Sequence, residues 1–322
     1  MSIRDSRCAC PGGMMTCSSG ELLRLAGYGP HMHSDPTIMA QVAVSLAREA
    51  GFDNIGLPLC MTVEAEALGA PVDLGSADVE PSIAHYVAAS AHEVAALAEP
   101  DPTTAGRMPV VLEAIRSARD AADGRLIVGG VVGPMSLATS LMDAVTFYRE
   151  LAAAPKAAAA ALELCTRVAE NFAIAQVDAG AEAILIAEPS GTGDILGPEW
   201  FGRFVAPHLT RVSSVVLAAG AEVIVHICGD VRPITAIVKG IPMTAFSFDS
   251  RVSVEAVRDA WPEATLMGNV STHLLQQASP HVVESTVRGL RQRGIDVVAP
   301  ACGISTATPA ANVRAMTAAA HS

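Results

Sequence analysis

Short apolar runs alternate with helical segments along most of the chain, and this alternation restricts the possible folds more than any other feature. Seven apolar runs have the character of strands, near residues 54, 126, 183, 222, 245, 265 and 295. Strands joined through helices are usually parallel, because a helical crossover returns the chain to the same end of the sheet. No change of composition and no linker interrupts the pattern. The sequence therefore predicts a single α/β domain.

Within this class, a (β/α)8 TIM barrel with one undetected strand is the prediction. We expect residues 21–322 to form this barrel and residues 1–20 to form an irregular N-terminal segment. A doubly wound nucleotide fold is the alternative, but no strand is followed by Gly-x-Gly-x-x-Gly or by a Walker loop. In a TIM barrel, the reactive groups lie where the strands end and the loops begin.

Helix boundaries follow from Pro and Gly, because Pro favours the first turn of a helix and Gly its end. Asp35 and Pro36 mark the start of a helix that ends at Gly51. The other principal helices are predicted at residues 82–98, 104–122, 136–151, 155–179, 198–219 and 281–292, and from Pro309 onwards.

Composition and charge narrow the classes of partner. The net charge of −12 argues against binding to nucleic acid or to an anionic membrane. No apolar run is long enough for a membrane span, and residues 1–5 carry no apolar signal region. We therefore expect a cytoplasmic protein that acts on a small molecule, without a membrane or nucleic-acid partner.

The seven cysteines do not form a disulfide framework, because their number is odd and their spacing irregular. We expect them to be reduced. Cys60 and Cys165 are predicted to lie in the core. Cys8, Cys10 and Cys17 lie near the start of the chain, either in a second metal site or in a mobile terminal segment.

A His and a Cys end the apolar run at residues 223–228. His226 and Cys228 are two positions apart, so on a strand both side chains point to the same face. A second apolar run ends in the same way, at Cys302. Imidazole nitrogen and thiolate sulfur are both good zinc ligands. These residues therefore indicate one metal site at the ends of two strands.

The long separation between Cys228 and Cys302 excludes a zinc finger, whose ligands occur in close pairs. Three ligands with long spacing are typical of a catalytic zinc, which keeps its fourth position open. The alternative is that the two cysteines are ordinary core residues, since Cys is among the most buried residue types.

Other polar residues follow predicted strands and are candidate catalytic groups. Glu188 and Asp249 each come at or just after an apolar run, and Glu64 and Glu66 follow the first run. Asp249 could instead cap a helix near Ser250. His31 and His33 lie in a turn-like stretch, where they either contact substrate or, as we expect, are exposed polar residues. The predicted catalytic residues are Glu188 and Asp249.

Several short motifs give the chain a resemblance to a known family. They are Pro58–Gly69, Gly133–Ala138, Glu188-Pro189-Ser190 with Asp194, His226–Gly229 and Ala299–Ile304. On these residues, the chain resembles the uroporphyrinogen decarboxylase superfamily from about residue 20 onwards. More specifically, it looks like the corrinoid-linked methyltransferase branch, typified by methylcobalamin:coenzyme M methyltransferases. The last two motifs distinguish this branch from the decarboxylases, which as a family use no metal.

The resemblance implies a TIM barrel with zinc held by His226, Cys228 and Cys302. It also implies transfer of a methyl group between a corrinoid and a thiol such as coenzyme M. Two thiolate ligands cancel the charge of the zinc ion, and a bound substrate thiolate then stays electron-rich and suited to alkylation. A carboxylate, Glu64, Glu66, Glu188 or Asp249, could fill the fourth position until the thiol displaces it.

The corrinoid is expected as a co-substrate, free or on a separate protein, because the sequence contains no Asp-x-His-x-x-Gly motif. Gly133, Pro134 and Ser190 are predicted to line the mouth that accepts it. The Arg-rich N-terminal motif of the decarboxylases is absent before Glu21. Two alternatives remain open: a tetrapyrrole decarboxylase and a non-catalytic corrinoid-binding barrel. Tetrahydrofolate is a less natural methyl acceptor than a thiol, because its N5 would not bind zinc in the way a thiolate does.

Overall fold

The computed structural model describes residues 2–9, 19–29 and 31–322. Most of its strands belong to one parallel sheet. The strands in the described part of the chain are β1 (Asn54–Gly56), β2 (Val72–Asp73), β3 (Ser82–Ile83), β4 (Leu126–Val132), β5 (Ala183–Glu188), β6 (Glu222–Ile227), β7 (Ala245–Phe248), β8 (Leu266–Val270) and β9 (Val297–Pro300).

Helices connect the strands of the sheet. They are α1 (Gly20–Leu25), α2 (Pro36–Ala50), α3 (Val63–Ala67), α4 (Ala91–Ala95), α5 (Met108–Asp120), α6 (Pro134–Leu141), α7 (Ala144–Ala153), α8 (Pro155–Ala179), α9 (Gly193–Phe204), α10 (Ala206–Ala218), α11 (Thr235–Val238), α12 (Val254–Ala260), α13 (Thr272–Gln277), α14 (Pro280–Gln292) and α15 (Ala310–His321). Short 3-10 turns occur at Ile3–Asp5 and Arg232–Ile234.

The main sheet is curled and has seven parallel strands in the order β1-β4-β5-β6-β7-β8-β9. All seven predicted strands are confirmed. Their apolar runs are almost fully buried because helices cover parallel sheets. One row of paired residues crosses four strands: Val132 pairs with Ala187, Ala187 with His226, and His226 with Ser247. These side chains therefore share one face of the sheet at the same height.

The sheet has one strand fewer than the predicted barrel, and a short N-terminal segment lies between its two edge strands, β9 and β1. Ala9 N–H donates to Val298 at 3.0 Å, Val298 N–H donates to Arg7 at 2.9 Å, and Asp53 N–H donates to Cys8 at 3.0 Å. These bonds join both edges through three residues, which is too short a run to be recognised as a strand from sequence.

The same segment contains Cys8, one of the three cysteines near the start of the chain. Cys8 is fully buried, and burial raises the pKa of its thiol. The Asp53 carboxylate accepts hydrogen bonds from the backbone N–H groups of Arg7 and Cys8 at 2.8 and 3.0 Å. The expectation of mobility is therefore wrong for Cys8. Cys10 and Cys17 lie outside the described residues.

The helix ends predicted from Pro36, Gly51, Pro155 and Gly180 are confirmed. Asp35 accepts hydrogen bonds from the backbone of Thr37 and Ile38, which caps α2. The same helix ends at Gly51, and α8 ends at Gly180. Both glycines have the left-handed conformation, with φ of 82° and 115°, that other residues adopt at a cost.

Three predicted helices are wrong in extent. The segment 82–98 contains the short hairpin strand β3 and only the brief helix α4. The segment 136–151 forms two helices, because the Asp143 side chain accepts from Thr146 N–H and starts α7 anew. The segment 198–219 is divided at Val205, where Pro207 in the first turn of α10 favours a new helix start.

No helix among the described residues combines the length and the apolar character that crossing a membrane requires.

Candidate metal centre

The structure brings the three predicted metal ligands together at the carboxyl edge of the sheet. His226 lies near the end of β6, Cys228 follows it, and Cys302 follows β9. His226 Nε2 is 3.2 Å from Cys228 Sγ, and Cys228 Sγ is 3.5 Å from Cys302 Sγ. All three ligand atoms lie within 4.8 Å of one another. This group of donor atoms is the only one of its kind found in the described part of the chain.

This donor set fits zinc. One imidazole nitrogen and two sulfurs are ligands that zinc prefers, and three protein ligands leave a position for a substrate. His226 is fully buried, whereas Cys228 and Cys302 are half-buried and face the end of the sheet. The two cysteines can therefore be reached from the carboxyl edge of the sheet, while His226 is held in the core.

The thiols of Cys228 and Cys302 differ in pKa. The Cys228 thiol and the His226 ring face the Cys302 sulfur, and they lower the pKa of Cys302 to about 4. The same contact with Cys302, together with burial, raises the pKa of Cys228. The two sulfur atoms are thus close enough for each thiol to affect the pKa of the other.

Ser247 orients the imidazole of His226. The His226 Nδ1 atom lies 2.9 Å from Ser247 Oγ, and both residues are fully buried. A hydrogen bond at Nδ1 fixes the ring so that Nε2 faces the two sulfurs. The sequence analysis missed this residue. The signal that could have indicated Ser247 is its position as a polar residue within the otherwise apolar strand β7.

Replacing Ser247 by Ala is expected to weaken zinc binding by about 10- to 100-fold, because the imidazole loses its fixed orientation. Competition with a chromogenic zinc chelator measures the change. Ser213→Ala is the matched control, since Ser213 is also a fully buried serine whose hydroxyl has no hydrogen-bond partner among the described residues. Equal zinc affinity for Ser247→Ala and wild type would contradict the orienting role.

Asp249 is the candidate carboxylate that contacts the backbone beside Cys228. Its Oδ2 accepts from Gly229 N–H at 3.1 Å, and its Oδ1 accepts from Arg251 N–H at 3.0 Å. The charges of Asp249 and Glu188 are both among the causes that raise the pKa of Cys228. The alternative role as a helix cap is wrong, because Ser253 caps α12.

Glu188 lies on the opposite face from His226. Its neighbour Ala187 pairs with His226, and successive strand residues point to opposite faces. The carboxylate accepts hydrogen bonds from Met135 N–H at 3.0 Å, Ser136 N–H at 2.9 Å and Gly191 N–H at 3.1 Å, and from the Ser136 hydroxyl. Burial raises the pKa of Glu188 to about 7, while these donors oppose the rise. This geometry indicates that Glu188 holds the end of β5 to the start of α6.

The residues predicted to contact the corrinoid surround the same carboxylate. Gly133 precedes α6, and a Cβ there would collide with Glu188. Pro134 is the first residue of α6 and is buried. Ser190 N–H donates to Ser136 Oγ at 2.9 Å. The structure thus places Gly133, Pro134 and Ser190 in one cluster, and their contact with a corrinoid stays a prediction.

A buried polar cluster at the end of β1 was not anticipated. Arg107, only 5% exposed, forms an ion pair with Glu66. It also donates to Thr62 Oγ1 at 2.7 Å and to Cys60 Sγ at 3.4 Å. Cys60 is buried as predicted, but it lies among polar groups. No local sequence pattern indicates this cluster, because Arg107 lies 41 residues along the chain from Glu66.

His33 belongs to the surroundings of this cluster, and its predicted exposure is wrong. It is 3% exposed and lines a small cavity with Leu23 and Leu59. Burial and the charge of Arg107 lower the pKa of His33 to about 4, so the ring is neutral at pH 7. His31, two residues earlier, is exposed as predicted.

The curled parallel sheet and the His/Cys/Cys group at its carboxyl edge define an α/β protein with a candidate metal centre. The family described as uroporphyrinogen decarboxylase (URO-D) matches residues 9–322. This chain belongs to the uroporphyrinogen decarboxylase family.

Similar proteins indicate the branch of the family. The methylcobamide:CoM methyltransferase MtaA of Methanosarcina barkeri is 30% identical over 294 residues, which cover 90% of this chain and 86% of the relative. The methylcobamide:CoM methyltransferase MtbA of Methanosarcina acetivorans is 26% identical over 90% of this chain and 85% of the relative. A solved structure of a methyltransferase from Methanosarcina mazei matches with a TM-score of 0.90 and 30% identity, covering 99% of this chain and 96% of its own. The resemblance predicted from sequence is confirmed.

Proposed function

We propose that this chain is a zinc-dependent methyltransferase that moves a methyl group between a methylated corrinoid and a thiol such as coenzyme M. The observation that carries the proposal is the group formed by His226, Cys228 and Cys302, whose ligand atoms lie within 4.8 Å of one another. The names of the similar proteins, methylcobamide:CoM methyltransferases, support the choice of corrinoid and thiol as the two substrates.

His226, Cys228 and Cys302 would hold the ion. A bound zinc ion would lower the pKa of the substrate thiol, so that the thiol is present as the nucleophilic thiolate at neutral pH. The chain supplies the remaining features of the site. Ser247 fixes the imidazole, and the two cysteines balance the charge of the ion, which leaves the substrate sulfur electron-rich.

Methyl transfer then balances without an oxidant or reductant. The substrate sulfur forms a bond to the methyl carbon while the cobalt–carbon bond of the corrinoid breaks. The electron pair of that bond stays with the corrinoid, and the thiol proton leaves before the attack. The reverse reaction would use the same residues.

We propose that Asp249 would supply the fourth ligand in the absence of substrate after a movement, because its oxygens are not among the ligand atoms that lie within 4.8 Å of one another. Of the four candidates, Glu66 is paired with Arg107, and Glu188 lies on the other face of the sheet. Glu64 contacts β4 rather than the sulfurs. Asp249, by contrast, contacts the residue after Cys228. We assign to Glu188 a positioning role.

We further propose that residues 7–9 close the curled sheet into a barrel. The corrinoid, free or on a separate protein, would approach the carboxyl edge, where Gly133, Pro134 and Ser190 belong to the loops after β4 and β5. The decarboxylase alternative has less support, because the buried Arg107 near this edge is already paired with Glu66 and is not free for a substrate carboxylate.

The direct test is to mix zinc-loaded protein with methylcobalamin and a series of thiols, and to follow the methyl-cobalt absorbance. We expect a loss of absorbance that requires both the protein and a thiol, with coenzyme M among the active thiols. Zinc-loaded protein that leaves methylcobalamin unchanged with every thiol would contradict the proposal.

A further inference from the structure

Glu64 is a fully buried carboxyl group with an unused oxygen. It lies in α3, just after β1, and is 0% exposed. Its Oε1 accepts from Val132 N–H at 2.7 Å, at the end of β4. Its Oε2 has no hydrogen-bond partner among the described residues. Buried polar atoms are nearly always hydrogen-bonded, so an unpaired one indicates a group that meets a ligand, a water molecule or a proton.

The position of Glu64 relates it to the metal centre. Its partner Val132 lies in the row of paired residues that continues through Ala187 to His226. Neighbouring strands are about 4.8 Å apart, so Val132 and His226 are separated by about 10 Å along the sheet. Ala187 lies between them and contributes only a methyl group. Glu64 is therefore at the height of the ligands, with the side chains of Val132 and Ala187 between them on the same face.

The charges around Glu64 favour its neutral form. Arg107 contributes the only cationic side chain among the causes that shift the pKa of Glu64, and this guanidinium is already paired with Glu66. Cys60 is a further acidic group beside it, and Glu188 lies at the end of the neighbouring strand β5. Burial raises the pKa of Glu64 to about 7. The group can therefore exchange a proton near neutral pH.

We propose that Glu64 takes up the proton that the thiol substrate loses when it binds at the metal centre. This inference rests on the proposed function. The S–H bond breaks, the proton passes to Glu64 through water at the carboxyl edge of the sheet, and an O–H bond forms at Oε2. No electrons are transferred. The protonated Glu64 then adds no negative charge beside the electron-rich sulfur.

The protonation of Glu64 can be tested without zinc and without activity. Infrared spectra of metal-free protein are recorded against pH for wild type, Glu64→Gln and Glu182→Gln. Glu182 is the matched control, because it also accepts from a backbone N–H of β4, that of Ile127, but at the other end of the strand. We expect a protonated-carboxyl band that titrates near pH 7 in wild type and Glu182→Gln and is reduced in Glu64→Gln. An identical band in all three proteins would overturn the inference.

The transfer itself is tested by counting protons. Coenzyme M is titrated into zinc-loaded protein in buffers of different ionisation enthalpy at pH 6 and pH 8. At pH 6 Glu64 already holds a proton, so wild type should release about one proton to solvent. At pH 8 Glu64 is ionised before coenzyme M binds. The bound thiolate must then raise the pKa of Glu64 for this group to keep the thiol proton, and the release should fall towards zero. Glu64→Gln should release about one proton at both pH values.

The role of Glu64 and the proposed function would be contradicted by different results. Binding of coenzyme M with about one proton released by wild type at both pH values would overturn the role of Glu64 and leave the proposed function intact. This wild-type result decides the question even if Glu64→Gln does not fold. No binding of coenzyme M to zinc-loaded wild type would overturn the proposed function instead, while the infrared spectra would still report the proton on Glu64.

Discussion

Replacing Cys302 by Ala should lower the rate of methyl transfer from methylcobalamin to coenzyme M by at least about 100-fold. The substitution removes one of the three ligand atoms that lie within 4.8 Å of one another. Loss of a group that merely orients a ligand already weakens metal binding by about 10- to 100-fold, so loss of a ligand should cost more. The initial rate of absorbance change at fixed zinc concentration measures the effect.

Cys165→Ala is the control for this variant. Cys165 is fully buried in α8, burial raises the pKa of its thiol, and it does not belong to the group of three ligand atoms. Its replacement should leave the rate close to that of wild type. If Cys302→Ala and Cys165→Ala transferred methyl groups equally well, the assignment of Cys302 to the metal centre would be wrong.

Replacing Glu188 by Ala should lower the free energy of unfolding by at least about 3 kcal/mol. The substitution leaves four buried donors without their acceptor, namely the N–H groups of Met135, Ser136 and Gly191 and the Ser136 hydroxyl. Each buried donor left unsatisfied costs about 1 to 3 kcal/mol, and part of this cost is recovered when water enters. Denaturant titration followed by circular dichroism measures the change.

Glu182→Ala provides the comparison, because Glu182 is exposed and accepts a hydrogen bond from Ile127 N–H at the opposite end of the sheet. We expect its effect to be below about 1 kcal/mol. A similarly small effect of Glu188→Ala, together with a large loss of methyl transfer in folded protein, would favour the catalytic role predicted from sequence over the positioning role.

The features that sequence could predict are those with a short-range pattern. Parallel strands covered by helices appear as continuous apolar runs, and all seven were found. His226 and Cys228 share a face because strand side chains alternate, and Cys302 ends a run of the same kind. Pro36 and Gly51 mark the ends of α2 because each has a conformational preference that a helix end uses.

The features that escaped prediction depend on contacts between distant segments. Arg107 lies 41 residues from Glu66, and no local pattern announces their ion pair. His33 is in a turn whose composition suggests exposure, but packing buries it. The segment at residues 7–9 joins β9 to Asp53, the residue before β1, through three backbone hydrogen bonds, and so short a run carries no strand pattern.

Glu188 occupies the position predicted from the sequence, and its catalytic role stays a prediction. It does lie at the end of a strand, where catalytic groups of this fold are found. However, the alternation that places Ala187 beside His226 turns Glu188 to the other face, towards α6. Strand-end position alone does not distinguish the two faces of a sheet.

Zinc content tests the central claim most directly. Protein purified without chelators is analysed by mass spectrometry of the metal, for wild type, His226→Ala and Cys302→Ala. The three-ligand site predicts about one zinc per chain in wild type and a clear loss in both variants. Wild-type protein that stays free of zinc even after incubation with the ion, or variants that retain a full equivalent, would contradict the account.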